Sequence, residues 1–239
     1  MTEAAEPKTG PVLAIFAHPD DAEICAGATL TKWAAQGREV HLLVLTNGDR
    51  GSQDPTQSRE ELAMLRKQET EAAAGLMGLA SARILSIHDG ELENTPVVRE
   101  AVTRRIREVG AETVVSADPT SIFFENRYYN HADHRNAGWI ALDSLFPGSG
   151  NPHFFAEHLE EGLEARDVYD VWLGWTMEPS HTEDVTGFLQ TKIDALAAHA
   201  SQLTEGIRFF DEWLTEESAK AGAKIGVEHA EEFRVLDLS

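Results

Sequence analysis

The chain has 239 residues, 42% hydrophobic and 26% charged, enough apolar material to bury a domain-sized core. Its 20 basic and 41 acidic side chains leave a formal net charge of −21. That field repels phosphate-rich partners and so argues against nucleic acid and anionic membranes. A lone cysteine, Cys25, excludes an intrachain disulfide, and no apolar run approaches the ~18 residues of a membrane helix.

The N-terminal MTEAAEPKTG is polar and lacks the apolar core of a leader, so the expectation is a cytoplasmic protein. PVLAIFA (11–17) is a continuous apolar run of strand length, and residues 24–36 read as a helix stopped by Gly37. VHLLVLT (40–46) predicts a second buried strand, residues 58–76 a helix, and RILSI (83–87) a third strand. A helix over 96–109 opens on Pro96 and closes at Gly110, and TVVSA (113–117) is a fourth strand. Residues 118–130 read as a long loop, 131–145 as a helix, 146–168 as irregular, 167–175 as a strand and 188–203 as a helix. With no repeat or linker, residues 1–239 are expected to form one domain. Strands alternating with helices predict an α/β fold: a Rossmann-like parallel sheet with helices on both faces.

In such sheets ligands bind beyond the carboxyl ends of the strands. His18-Pro19-Asp20-Asp21, Asn47-Gly48-Asp49-Arg50, His88-Asp89-Gly90 and the loop from Asp118 to His131 all follow strands there. A phosphate site would want glycines and free backbone N–H groups, and the first loop instead offers two carboxylates. His18 and Asp21 can give a metal one nitrogen and one oxygen, with Asp20 beside it. NHADHRNAG (130–138) offers the third ligand, since His131 and His134 share a helix face. Catalytic zinc usually takes three protein ligands and keeps one position for water. His18, Asp21 and His134 match that count and leave His131 for proton transfer. The plainer account is helix capping: Asp20-Asp21 at one dipole, Asn130 and Asp133 at another.

In the helix over 58–76, Leu62, Leu65, Ala72, Ala73 and Leu76 form an apolar stripe that includes Arg66 and Glu69. These two charges either pair with each other or let Arg66 reach the rim. Trp172 and Trp175 read as core residues, His181 as a loop residue, and His199 as structural or exposed.

AHPDDAE (17–23), TNGDRGS (46–52), LRKQETEAAAGLMG (65–78), HDGEL (88–92), HADH (131–134) and KIDALAAHASQ (192–202) together resemble the zinc-dependent de-N-acetylases of the PIG-L/LmbE type. The resemblance runs in order over nearly the whole chain. It implies His18, Asp21 and His134 as ligands of Zn2+, with Fe2+ as an in vivo alternative. It implies Asp20 as general base, His131 as acid or oxyanion stabiliser, Asp133 orienting His131, and Tyr129 polarising the substrate carbonyl. It also implies Arg66 as a contact to sugar hydroxyls; Asp89, after the third strand, is a second candidate from its position, and Asp49 and Arg50 are weaker ones. Ala132 stands where proline is common. The implied reaction is hydrolysis of the N-acetyl amide of an N-acetylglucosamine-type sugar or glycoside by a protein that can form homo-oligomers. An amidase for a larger N-acyl or thiol conjugate is the alternative within that class. A 2-His-1-carboxylate iron enzyme and a non-catalytic sugar-binding relative are the alternatives outside it.

Overall fold

A computed structural model describes residues 9–203 and 206–239; the first eight residues of the polar N-terminal stretch lie outside the described residues. Five strands run parallel: β1 (Val12–Phe16), β2 (Val40–Thr46), β3 (Ser81–Ile87), β4 (Thr113–Ala117) and β7 (Asp170–Gly174). β9 (Ala230–Asp237) adds antiparallel to β7, and β8 (His181–Asp184) antiparallel to β9. The order across the sheet is β3-β2-β1-β4-β7-β9-β8. The chain therefore builds outward from β1 to one side, then returns to lay β4 on the other. That reversal opens a crevice at the carboxyl ends of β1 and β4.

β1 shows why helices cover both faces, as expected of a strand buried on both sides. Val12, Ala14 and Phe16 pack with Ala22, Cys25, Ala26, Leu30 and Trp33 of α1 (Asp21–Ala35). Leu13 and Ile15 point the other way, into a cluster with Val102 and Ile106 of α3 (Pro96–Val109) and Ala137, Ile140 and Ala141 of α4 (Ala132–Asp143). Local chemistry sets the helix ends. Ser58 caps α2 (Arg59–Leu76) by accepting from the Glu61 N–H, and Thr95 caps α3 ahead of Pro96. Gly110 closes α3 in the left-handed region.

Several boundaries differ from expectation. α1 starts at Asp21, three residues early, so the acidic loop and the helix share residues. The expected loop 118–130 contains a small hairpin, β5 (Phe123–Phe124) with β6 (Tyr128–Tyr129). α4 ends at Asp143 and a wide turn, Ser144–Ser149, follows. A short helix, α5 (Glu157–Glu160), interrupts the irregular stretch. The helix at 188–203 divides into α6 (Leu189–Ala197) and a 3₁₀ turn (Ala200–Gln202). His181 opens strand β8 rather than lying in a loop. α7 (Arg208–Ile225) completes the elements. No described helix is long and apolar enough to cross a membrane.

Candidate metal and catalytic centre

β1 delivers a buried strand end straight into a polar turn. Asp20 takes φ 102° and ψ −22°, a left-handed conformation that costs an L-residue ~1–2 kcal/mol. That twist starts α1 at Asp21 and turns its carboxylate back to accept the His18 N–H at 2.8 Å. The strain thereby places two candidate ligands side by side.

The third arrives on α4. His131 is its N-cap, its ring accepting the Asp133 N–H at Nδ1. His134 lies one turn on. Its Nδ1 is 2.9 Å from Asn130 Oδ1, and Asn130 Nδ2 donates to Ser121 O. Because an amide oxygen only accepts, His134 carries its proton on Nδ1 and presents a lone pair at Nε2. That atom lies 3.1 Å from His18 Nδ1 and 3.1 Å from Asp21 Oδ1, and His18 Nδ1 lies 3.5 Å from Asp21 Oδ2. Ligands ~2.1 Å from a tetrahedral ion sit about 3.4 Å apart, so the two ring nitrogens and the Asp21 carboxylate are spaced as the ligands of one ion are.

The charges fit a cation as well. His18 Nε2 has Asp89 Oδ1 at 3.1 Å and Asp133 Oδ2 at 3.4 Å, although no acceptor lies in line with it for a hydrogen bond. Carboxylates at that nitrogen favour a proton there and free Nδ1 for metal. Burial lowers the basicity of His18, but Asp21, Asp133 and Asp89 outweigh it and push the pKa up to about 12. Burial works against ionising Asp21 too, yet His134 and His18 hold its carboxyl well below the ordinary range. A proton thus stands where the surrounding carboxylates call for a cation. His18, His131 and Asp133 make a second close group. His131 Nδ1 there already accepts a backbone N–H, and Asp133 Oδ2 accepts the Gly90 N–H at 2.7 Å. The His18, Asp21 and His134 set is the better-prepared one.

Asp20 belongs to neither group. Its Oδ2 accepts from Arg66 Nη2 at 3.1 Å. Burial raises its pKa to about 6, against the opposing pull of Arg66. His131 is lowered, first by burial and then by the charge of His18. With Nδ1 accepting, its neutral ring carries the proton on Nε2 as a donor. The Trp175 ring lies tilted 4.9 Å from the His134 ring and edge-on 6.4 Å from Phe16, joining the ligand to the core.

The other expected site residues are redistributed. Arg66 is only 3% exposed. It donates to Pro19 O at 2.5 Å and Gly48 O at 3.2 Å besides Asp20. It makes no pair with Glu69, which instead takes the Ser201 N–H and hydroxyl at 2.7 and 2.6 Å. The buried stripe of α2 is correspondingly Leu62, Arg66, Glu69 and Ala73, while Leu65 and Leu76 face outward. Gly48, at φ 62°, leaves room for the guanidinium, since a Cβ there would lie 2.5 Å from Nη1. Asp49 is buried under Arg59, His88 and the Asp89 N–H, which ties loops together below the rim. Asp89 keeps partial exposure beside His18. The Asp133 carboxylate faces Gly90 and His18, and only its backbone N–H holds His131. Tyr129 is 70% exposed. The neighbouring phenol of Tyr128 is the one raised by burial and by the Asp21 charge, as expected when adjacent strand residues point to opposite faces. Asn130 read as a cap and Trp175 as core, and their contacts with His134 were missed because neither lies in a recognisable ligand spacing.

The model of a family described as GlcNAc-PI de-N-acetylase (PIG-L) matches residues 13–145. The chain is 30% identical to a diacetylchitobiose deacetylase of Thermococcus kodakarensis, over 94% of this chain and 82% of that protein. It is 28% identical to a probable N-acetyl-alpha-D-glucosaminyl L-malate deacetylase of Bacillus anthracis, over 86% and 88% of the two chains. Among solved structures, the N,N'-diacetylchitobiose deacetylase of Pyrococcus horikoshii, bound to an inhibitor, superposes with a TM-score of 0.87. That match has 31% identity and covers 96% of this chain and 84% of that one.

Proposed function

Because the chain belongs to the GlcNAc-PI de-N-acetylase (PIG-L) family, we propose that it hydrolyses the N-acetyl amide of an N-acetylglucosamine-type sugar or glycoside to acetate and a free amine. The observation that carries this reading is the convergence of His18 Nδ1, His134 Nε2 and the two Asp21 oxygens at 3.1–3.5 Å, with Asp20, outside that group, close enough to feel the charges of Asp21 and His18. Residues 1–239 act as one deacetylase domain, a reading supported by a single large sheet that takes strands from both ends of the described chain.

His18, Asp21 and His134 would hold the ion, and their two nitrogens and one carboxylate suit zinc, with ferrous iron as an alternative. Zinc when bound supplies Lewis acidity and a water acidified from ~15.7 to about 7. Asp20 takes a proton from the attacking water, a contribution of ~10²–10⁴-fold for a well-placed base. Arg66 fixes that carboxylate and stays beneath the loop, so its work is positioning rather than contact with the sugar. The His131 Nε2–H donates to the carbonyl oxygen as negative charge develops there. As the C–N bond breaks, the proton held on Asp20 passes to the departing nitrogen. Asn130 orients His134; Asp89 and Asp133 orient His18. Asp89, still partly open, also takes a sugar hydroxyl. Tyr128, the tyrosine that feels the Asp21 charge, stands on the side of the reacting amide, and Asp49 supports the rim from below.

The test is amine release from N-acetylglucosamine, diacetylchitobiose, N-acetylglucosaminyl malate and an N-butyryl analogue by zinc-loaded protein. Acetate and amine in equal amounts from an N-acetyl substrate are expected. Turnover of the N-butyryl analogue alone would move the activity to larger acyl groups, and turnover of none would defeat the proposal.

A further inference from the structure

Two fully buried ionisable side chains lie behind this centre without a partner that satisfies them. Glu23, in the first turn of α1, and His199, between α6 and the 3₁₀ turn, are each 0% exposed. Glu23 Oε1 stands 3.5 Å from His199 Nε2. Neither carboxylate oxygen and neither ring nitrogen makes a hydrogen bond among the described residues. Burying such a pair for stability alone is poor design, because well-packed apolar residues in its place are often as stable or more so. Orphaned polar groups of this kind call for another explanation.

Their position supplies one. The turn that carries His199 is tied to α2 through Ser201 and Glu69. α2 also carries Arg66, the one hydrogen-bond partner of the Asp20 side chain among the described residues. Glu23 lies three residues past Asp20, on the turn whose Ile24 N–H bonds Asp20 O. The groups facing His199 are Glu23 and Asp20 from α1 and its preceding loop, and Arg66 from α2. Asp20 meanwhile holds a left-handed backbone that the loop must keep against its own preference.

We propose that Glu23 and His199 form an internal positioning pair that clamps the first turn of α1 against the α6–3₁₀ turn and so holds Asp20 in its left-handed, Arg66-bonded pose. The inference rests on the reading of Asp20 as the base. It gives the C-terminal part of the chain, beyond residue 145, a role in a centre whose proposed ligands all lie before it.

The test is His199→Leu, a near-isosteric apolar change, with Glu23→Gln as a second variant should the first fail to fold. The expected result is an unchanged or higher melting temperature, unchanged zinc stoichiometry and KM, and kcat lower by about 10-fold or more. In an Asp20→Ala background the same change should cost nothing further, because it acts through Asp20. A crystal structure of metal-free His199→Leu should show the Asp20 carboxylate displaced from Arg66. Asp20 still bonded to Arg66 at a φ near 100°, or a loss of rate that persists in full in the Asp20→Ala background, would overturn the proposal. An inactive wild-type enzyme would instead count against the hydrolase reading, and the crystal structure tests the clamp independently of it.

Discussion

Asn130→Ala is the sharpest perturbation of the centre, because it leaves every proposed ligand in place. Asn130 Oδ1 is the acceptor for His134 Nδ1 at 2.9 Å. Removing it frees the imidazole to rotate and to place its proton on Nε2, the atom that faces Asp21 and His18. Loss of a hydrogen bond to a buried group costs ~1–3 kcal/mol. Supporting partners of metal-bound histidines are worth ~10–100-fold in affinity, about 1.4–2.7 kcal/mol. The two routes agree on a 10–100-fold rise in the zinc dissociation constant. The assay is competitive titration against a chromophoric chelator, with thermal unfolding to check the fold, since Asn130 also bonds Ser121 O. Asn130→Asp keeps the acceptor and should retain most of the affinity. A zinc affinity in Asn130→Ala within twofold of wild type would refute the reasoning.

Asp20→Asn should lower kcat by about 10²-fold or more while keeping zinc, read by amine release alongside elemental analysis. Lys192→Met removes the cation paired with the buried Glu231 carboxylate at 2.6 Å, leaving it only the Ala28 and Thr29 N–H groups, and should cost ~3–5 kcal/mol in chemical denaturation. Adding Glu231→Leu should recover much of that loss. Gly48→Ala forces a Cβ onto the Arg66 guanidinium and should lower kcat more than it raises KM, as a displaced Asp20 requires. Asp49 contributes to acid stability. Burial raises its pKa, but the Asp89 N–H, Arg59 and His88 outweigh that and hold it below the ordinary value. Its contribution is therefore present above an unfolded pKa of ~3.9 and is lost as pH falls through the lower folded value. Asp49→Asn should flatten the stability curve below about pH 4, measured by denaturant midpoints.

What could be read from sequence follows the range over which each interaction acts. AHPDD and HADH are short, so strand-end placement and helical spacing bring their side chains onto one rim. Arg66 and Glu69 were legible as an anomaly on the apolar stripe. Their partners were not, because Asp20 is 46 residues from Arg66 and Ser201 is 132 residues from Glu69. Assigning them to each other followed the local rule for i,i+3 charges, and tertiary partners displaced it. The same limit hid Asn130, which read as a cap until the fold put His134 over it. β9 was missed since Glu231, Glu232 and Arg234 break its apolar pattern, and Glu231 is buried because Lys192 and the Ala28 and Thr29 N–H groups come to meet it.

Anomalous diffraction at the zinc edge from crystals of the zinc-loaded protein addresses the centre most directly. A single peak about 2.1 Å from His18 Nδ1, His134 Nε2 and an Asp21 oxygen, with Asp20 outside bonding distance, is the predicted result. A peak bound instead by His18 Nε2, His131 and Asp133, or one that takes Asp20 as a ligand, would contradict the account.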